Sequence, residues 1–300
     1  IRDFCLSRGL GDVYKRQKYL TSRQIRDRLT RELESNVALR VEDTDSADTF
    51  EVRGRGELHL SILIETMRRE GYELQVSKPQ VIITERNGQK LEPVEYVVVD
   101  VPDEYAGPVI EALGARKALM SNMISIGGSR RLEYTMPTRA IFGLRGELLT
   151  LTRGTAIMSH TYYDHEPWMG ELPGRNVGAL VTTDTGRTTG YALMGVQQRG
   201  RFFVGPGVEV YEGMIVGRAN DDSDVALNAV RMKKLTNMRA AGSDENVNLA
   251  PAEEMSLERA IEFIEDDELV EVTPKSIRLR KRILNEAERV RRRKREKVNA

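Results

Sequence analysis

Apolar residues recur with helical spacing shortly after the start of the chain. Ile25, Leu29 and Leu33 follow one another every four residues, which places them on one face of a helix. Thr21 precedes this run, and a hydroxyl at that position can accept a hydrogen bond from a free backbone N–H of the first turn. The pattern therefore predicts a first helix that extends to about Ser35.

Alternation of apolar and polar residues predicts strands after this helix. The predicted elements are a hairpin formed by residues 37–41 and 49–53, a helix from Glu57 that Gly71 ends, and a strand over residues 73–77. The resulting order, α-β-β-α-β, is that of a ferredoxin-like α/β sandwich lacking its first strand. Residues 1–17 have no clean period and are interrupted by two glycines, so we assign them to a leader outside the fold.

A second unit of the same kind follows. Its predicted elements are strand 94–101, helix 108–119, strands around Met123 and over 132–136, helix 142–152 and strand 155–163. Beyond Pro167 the chain changes to short strand-like runs at 177–183, 191–196 and 213–218. A helix from Ser256 to Ile264, a short strand at 277–280 and a charged helix or tail at 284–298 end the chain.

These patterns predict an α+β protein. Two tandem ferredoxin-like α/β sandwiches, the first lacking its first strand, precede a β-rich C-terminal domain with terminal helices. The predicted domains are 18–88, 89–167 and 168–300, after the leader 1–17.

Composition excludes some classes of protein but does not identify a partner. The 46 basic and 46 acidic side chains cancel, so only the local distribution of charge can indicate a partner. A single cysteine, Cys5, excludes an internal disulfide framework and suits a reducing compartment. The chain has no apolar run of the roughly 20 residues that a membrane span needs, nor a signal peptide. We therefore predict a cytoplasmic protein without membrane contact.

Basic residues concentrate in two places. The segment 231–239 carries four cationic side chains without helical or strand periodicity, which is typical of an exposed loop. Such a loop can bind RNA, with cations on phosphates and Thr236 or Asn237 on sugars or base edges, or it can be a solvated surface loop. The run Arg289 to Arg295 is likewise either a solvated tail or an RNA contact.

Other motifs leave alternatives open. His160 and His165 lie beside Asp164 and Glu166, residue types that bind metals, and a metal-assisted hydrolase is the rival function. Positions five apart on a strand face opposite sides, however, which argues against a shared metal. The acidic run 266–268 is either a helix terminus or a magnesium or catalytic pair. Gly54 and Gly56 predict a tight packing turn or an anion site at a helix start.

Several segments resemble one family. Residues 52–60, Val-Arg-Gly-Arg-Gly-Glu-Leu-His-Leu, resemble the third-domain signature of elongation-factor-G-like translational GTPases. Residues 94–163, with Met-Pro-Thr-Arg-Ala-Ile-Phe-Gly at 136–143, look like the fifth domain of that superfamily. The basic loop and the C-terminal region are similar to the domain peculiar to the BipA (TypA) branch. The resemblance extends from Lys18 to about Arg282.

The resemblance implies a ribosome-associated protein that assists assembly of the 50S subunit and translation under stress or cold. Its expected partners are 50S ribosomal RNA near the factor site and the peptidyl-transferase region, and the acceptor end of transfer RNA; we expect a monomer. Carried onto this sequence, the RNA-binding residues are Lys233, Lys234, Leu235, Thr236, Asn237, Met238 and Arg239. Candidate RNA or domain contacts are Arg53, Arg55, His59, Arg280, Lys281 and Arg282.

The departures from the family concern catalysis. The sequence contains no G-x-x-x-x-G-K-[S/T] phosphate loop and no N-K-x-D motif for guanine. We therefore expect no catalytic residue, no metal site and no cofactor in this chain, and GTP and magnesium would belong to the family's N-terminal nucleotide domain. On this interpretation the chain is a truncated product. An autonomous assembly factor that never had a nucleotide domain is the remaining alternative.

Overall fold

The computed structural model describes residues 2–8, 21–172, 174–175, 177–232 and 249–299, with side chains between 21 and 295. Three hydrophobic cores and a mixture of helices and antiparallel strands confirm the predicted α+β class.

The first unit is a complete ferredoxin-like sandwich. Its elements are β1 (Arg2–Arg8), α1 (Ser22–Ser35), β2 (Arg40–Asp43), β3 (Thr49–Gly54), α2 (Glu57–Glu70) and β4 (Leu74–Ser77). The strands lie in the order β4-β1-β3-β2 and each neighbouring pair is antiparallel. Two helices follow the first and third strands, which completes the β-α-β-β-α-β order.

The structure corrects the prediction that this unit lacks its first strand. Strand β1 pairs with β3 from Arg2↔Gly54 to Ser7↔Thr49, and its other edge pairs with β4. A strand in the middle of a sheet forms backbone hydrogen bonds on both sides, and these do not require an alternating side-chain pattern. For this reason a segment whose sequence pattern indicates a leader supplies a central strand.

Helix boundaries in this unit follow the local signals. Helix α1 begins with a capping box, in which the side chain of Thr21 accepts from the backbone N–H of Gln24 and the Gln24 side chain accepts from that of Thr21. Its residues Ile25 and Leu29 are fully buried. Helix α2 ends at Gly71, whose φ of 101° lies in the left-handed region that glycine adopts without strain.

The second unit has the predicted topology. After the short strands β5 (Gln80–Val81) and β6 (Thr84–Arg86), it comprises β7 (Gln89–Pro102), α3 (Ala106–Ala115), β8 (Leu119–Ile126), β9 (Ser129–Pro137), α4 (Leu144–Leu151) and β10 (Ile157–Pro167). The strand order is β10-β7-β9-β8. The predicted helix 108–119 extended too far, because Leu119 already begins the edge strand β8.

The C-terminal domain is β-rich and ends in helices, as predicted. It comprises β11 (Ala179–Thr182), β12 (Gly186–Arg187), α5 (Gly190–Val196), β13 (Gly200–Phe202), β14 (Glu209–Val210), β15 (Met214–Ala219), β16 (Val225–Leu227), α6 (Leu257–Phe263), β17 (Glu268–Val272), β18 (Ile277–Lys281) and α7 (Glu286–Asn299).

One element of this domain was predicted wrongly. The run 191–196 has a strand-like pattern, but it forms helix α5. The side chain of Thr189 accepts a hydrogen bond from the backbone N–H of Ala192 at 3.1 Å and thereby caps the first turn. A seven-residue run is too short for apolar spacing to separate helix from strand, so the capping residue decides the outcome here.

The first unit and the C-terminal domain share one sheet. Strand β17 pairs with β4 from Leu269↔Ser77 to Val272↔Leu74, which extends the first sheet in the order β16-β11-β15-β18-β17-β4-β1-β3-β2. Their side chains also share a core, in which Ile261 of α6 packs with residues of α1 and α2. The second unit has a sheet and a core of its own.

Candidate nucleic-acid interface

The predicted RNA-binding residues lie outside the described residues. They are Lys233, Lys234, Leu235, Thr236, Asn237, Met238 and Arg239, and the structure describes the chain on either side of them, up to Met232 and again from Leu249. Met232, the described residue that precedes them, is 77% exposed.

Helix α5 holds the described chain on both sides of residues 233–248. At the N-terminal end of the helix, the hydroxyl of Thr189 lies 2.6 Å from the carbonyl oxygen of Arg231, to which it donates. At the other end, the backbone N–H of Ala250 donates to the side-chain oxygen of Gln197 at 3.4 Å. Seven helical residues span about 10 Å, so Arg231 and Ala250, which flank residues 233–248, are held on one short element.

Arg53 and Arg55 have different surroundings. Arg53 is bound to the carboxylates of Glu42 and Glu51, each at 2.8 Å, so its guanidinium is engaged within the sheet. Arg55 is exposed. Between them, a Cβ on Gly54 would lie 2.8–2.9 Å from the side chains of Leu60 and His59, which fits the predicted packing turn.

His59 joins the two helices of the first unit. Its Nε2 lies 2.8 Å from the side-chain nitrogen of Asn36, which follows the end of α1, and its Nδ1 lies 3.3 Å from the backbone N–H of Arg55. Both contacts are internal. The geometry therefore favours a packing role for His59 over contact with a partner.

The three candidate residues at the end of β18 do not share one environment. Arg280 and Lys281 are buried, at 6% and 2% exposure, whereas Arg282 is exposed. The Arg280 guanidinium donates to the carbonyl oxygens of Lys281 and Arg282, at 3.1 and 3.2 Å. Of these three residues, only Arg282 presents its side chain to an external partner.

Lys281 is instead the centre of a buried ion-pair cluster. Its Nζ lies 2.8 Å from carboxylate oxygens of both Asp224 and Glu268, and 3.1 Å from Asp267. Burial acts to lower the pKa of Lys281, but the charges and hydrogen bonds of Glu268 and Asp224 outweigh it, so the pKa is raised. Within the acidic run 266–268, Asp267 and Glu268 therefore serve as ion-pair partners.

Sequence reasoning missed Arg175, which completes this cluster. Its guanidinium donates to both carboxylate oxygens of Glu268, at 2.9 and 3.1 Å, and lies 4.0 Å from the ring centroid of Phe263. Its backbone N–H donates to Glu265, which also pairs with Lys78 of the first unit at 2.7 Å. The carboxylate partners of Arg175 come from Glu265 and Glu268, 90 and 93 residues away, so no local motif signals the cluster.

The two histidines of β10 do not share a metal site. His160 Nδ1 lies 2.5 Å from the carboxylate of Glu95, and His165 Nδ1 lies 2.8 Å from the hydroxyl of Tyr162. Within the described ranges, no three side chains of His, Cys, Asp or Glu converge as metal ligands would. The geometry gives the rival metal-assisted hydrolase no site in this part of the chain.

Two family models match consecutive parts of the chain. Residues 89–176 match the model described as "Elongation factor G C-terminus", and residues 177–286 match the "TypA/BipA C-terminal domain". The matches correspond to the second ferredoxin-like unit and the β-rich domain. The chain thus has the C-terminal architecture of an elongation-factor-G-like protein.

Similarity to individual proteins specifies the branch of the elongation-factor-G-like proteins. Proteins named "Large ribosomal subunit assembly factor BipA" are 54% identical over 265 residues in Synechocystis sp., 51% over 283 in Bacillus subtilis and 53% over 279 in Salmonella typhimurium. These alignments include 88, 94 and 92% of this chain. The chain belongs to the TypA/BipA family and corresponds to its C-terminal part.

The chain spans less than half the length of these relatives, between 44 and 46%. Among the helices that the structure describes, none combines the length and apolar character needed to cross a membrane.

Proposed function

We propose that this chain is the ribosome-docking portion of a BipA-type factor that assists assembly of the large ribosomal subunit. The observation that carries the proposal is the identity of 51–54% to proteins named as such factors, over 88–94% of this chain. The structure supports it, because Arg231 and Ala250, which flank residues 233–248, are both hydrogen-bonded to residues at the ends of α5.

The segment 233–239 is the proposed RNA contact. Lys233, Lys234 and Arg239 would bind phosphates, while Thr236 and Asn237 would donate to sugars or base edges. Affinity of this kind is independent of sequence and falls steeply with salt, and the shape of the RNA supplies specificity. Anchoring the chain at Arg231 and Ala250 lowers the entropy cost of ordering the residues between them on RNA.

The family resemblance implies more specific partners. We propose contact with ribosomal RNA near the factor site and the peptidyl-transferase region, and with the acceptor end of transfer RNA. The chain would work in the cytoplasm as a monomer. Since the sequence has neither the phosphate loop nor the guanine motif, no step of GTP hydrolysis is assigned to its residues.

Co-sedimentation with isolated ribosomal subunits tests this function. The unaltered chain is expected to sediment with large subunits at low salt and to dissociate as salt rises. A variant with Lys233→Glu, Lys234→Glu and Arg239→Glu should lose this binding and keep its circular dichroism spectrum.

A matched control separates a local contact from net charge. Arg23, Arg86 and Lys275 are exposed and lie elsewhere on the chain, and their replacement by Glu changes the net charge equally. The control variant should retain most of the binding. Equal losses in both variants would contradict the assignment of segment 233–239, and no sedimentation of the unaltered folded chain with large subunits would contradict the function.

A further inference from the structure

The C-terminal helix α7 has an inner face that is fixed to the protein. Arg293 lies 2.6 Å from the carboxylate of Asp224, and Arg289 donates to the carbonyl oxygens of Ile283, at 3.0 Å, and of Leu284. Arg289 and Arg293 are four residues apart and therefore project from the same side of the helix. Although the sequence of α7 is strongly basic, two of its arginines thus serve to hold the helix in place.

The start of the helix is fixed as well. A carboxylate oxygen of Glu212 accepts from the side-chain nitrogen of Asn285 and from the backbone N–H of Glu286, both at 3.1 Å. This carboxylate satisfies a free amide of the first turn, where negative charge is favourable. Together with Asp224, Glu212 fixes the direction of α7 relative to the C-terminal domain.

A second face of α7 carries exposed positive charge. One concave surface is lined by Ile283, Asn285, Glu288, Arg291, Arg292 and Arg295. At 100° per residue, positions 288, 291, 292 and 295 lie within about 100° of one another and on a different side from 289 and 293. Arg291 and Arg295 are exposed and form no ion pair with any residue that the structure describes.

We propose that this face of α7 binds the sugar-phosphate backbone of RNA, as a contact separate from the segment 233–239. The proposal rests on the RNA-docking function proposed above. Guanidinium groups bind phosphate oxygens in a bidentate manner, and Arg291 and Arg295, one turn apart along the helix, reach different phosphates. Because the helix is already fixed by Asp224 and Glu212, it loses little freedom when it binds.

RNA fits this face better than a protein partner does. A stable protein interface has a buried apolar centre with few charges, whereas Ile283 is the only apolar side chain among the residues lining the described concavity. Three arginines against one glutamate give an excess of positive charge within two helical turns. Phosphate contacts need this arrangement and no apolar centre.

The test compares two variants of the full 300-residue chain with equal net charge. Arg291→Ala with Arg295→Ala removes two positive charges from the proposed face. Lys294→Glu also changes the net charge by two, but position 294 lies outside this arc, about 60° around the helix from 291 and about 100° from 295. Binding of each variant to a double-stranded RNA of about 20 base pairs, long enough to present two successive minor grooves, is measured by fluorescence anisotropy across a salt series.

The double-alanine variant is expected to bind at least about tenfold more weakly at low salt. The slope of log K against log salt should fall by about two, because each of the two arginines would neutralise one phosphate. Lys294→Glu should leave the slope unchanged and weaken binding less than about threefold. Circular dichroism checks that α7 remains helical, as expected because alanine and glutamate favour helices.

Two results of the variant comparison would overturn the proposal: an unchanged slope in the double-alanine variant, or equal losses of affinity in both variants. Comparable affinity of the unaltered chain for polyaspartate would also overturn it, since the face would then recognise anionic charge in general. Co-sedimentation with large subunits distinguishes failure of this contact from failure of the docking function. If the unaltered chain sediments but the slope is unchanged, only this contact is wrong, and if it binds neither subunits nor RNA, the docking function fails as well.

Discussion

Lys281 and Glu268 face each other across neighbouring strands, with Nζ 2.8 Å from a carboxylate oxygen and with side chains that are 2% and 0% exposed. Glu268 also accepts from Arg175, in the segment that connects the second unit to the C-terminal domain. Burying charges is unfavourable unless each is paired, so this cluster is stable only when complete. It links the connector to the sheet that the first unit and the C-terminal domain share.

Lys281→Met should therefore destabilise the chain strongly. The substitution preserves the apolar stem but leaves Glu268 and Asp224 with less compensating charge, which costs about 3–5 kcal/mol when a buried pair is broken. The free energy of unfolding in urea measures the loss. Lys275→Met, at an exposed position before β18, is the control and should change stability by less than about 0.5 kcal/mol.

The double variant Lys281→Met with Glu268→Gln tests the cause. Removing one carboxylate charge together with the Lys281 cation restores the charge balance of the cluster, in which Arg175 remains, and should recover part of the loss in stability because burying a neutral amide costs less. Two results would show that the ion pair is not the source of stability. In one, Lys281→Met is as stable as the unaltered chain. In the other, the double variant loses the full sum of the stability losses of Lys281→Met and Glu268→Gln.

Ile261→Ala should destabilise the first unit and the C-terminal domain together. Ile261 is 1% exposed and lies in the core that these two parts share, so its truncation should cost about 2–5 kcal/mol. Hydrogen exchange measured by mass spectrometry should show faster exchange in both β4 and β17, which are paired. Strand β9, in the separate core of the second unit, should change little.

Val109→Ala provides the matched control for this cooperativity. Val109 is fully buried in the core of the second unit, so its truncation should accelerate exchange in β9 and leave β4 and β17 protected. Exchange in β17 that changes without β4 after Ile261→Ala would mean that the shared sheet does not couple the two parts.

Local signals in the sequence were sufficient where one residue decides the structure. Thr21 begins α1 through its capping box, and Gly71 ends α2 in the left-handed conformation, at the positions predicted from residue type and spacing. Helix α5 was missed because a seven-residue run does not distinguish the two periods. The strand β1 was missed because its place depends on pairing with β3 and β4, distant in sequence.

The same limit applies to Lys281, a candidate RNA or domain contact. The sequence left both alternatives open, because the carboxylates that pair with Lys281 come from Asp224 and Glu268, and Asp224 is distant in sequence. Charge along a sequence indicates which residues need partners and does not indicate whether those partners are internal. The segment 233–239 remains a prediction on the same grounds, supported by the anchoring of Arg231 and Ala250 on either side of residues 233–248.

Glu73→Gln should stabilise the chain at neutral pH. Glu73 is 7% exposed, and burial together with the nearby charge of Glu271 raises its pKa, with Arg278 acting in the opposite direction. A carboxyl whose pKa is raised on folding stabilises the folded state when protonated, at pH values below its unfolded pKa. That contribution is lost as pH rises through the folded pKa, so the charged form is unfavourable at about pH 7.

Thermal unfolding at several pH values measures this effect. The melting temperature of Glu73→Gln should exceed that of the unaltered chain at about pH 7.5, and the difference should shrink as pH falls below about 4.5, where the carboxyl of the unaltered chain is protonated in both states. Glu85→Gln, at an exposed position, should show no such trend. A difference that is constant with pH would rule out the titration of Glu73 as its origin.

Thr189→Ala should weaken RNA docking without unfolding the chain. The hydroxyl of Thr189 accepts from the N–H of Ala192 and donates to the carbonyl oxygen of Arg231. It therefore both caps α5 and holds the chain two residues before Lys233. Loss of an N-cap costs about 1 kcal/mol locally, and the released end raises the entropy cost of ordering the segment on RNA. We expect affinity for large subunits to fall about three- to tenfold, measured by co-sedimentation at constant salt.

The conservative variant Thr189→Ser separates this anchoring role from direct contact with RNA. Serine keeps the hydroxyl and both hydrogen bonds, so this variant should bind like the unaltered chain. The salt dependence should stay unchanged in Thr189→Ala, since every phosphate contact remains. A decreased slope would place Thr189 in direct contact with RNA, and an unchanged affinity would show that α5 does not position the segment.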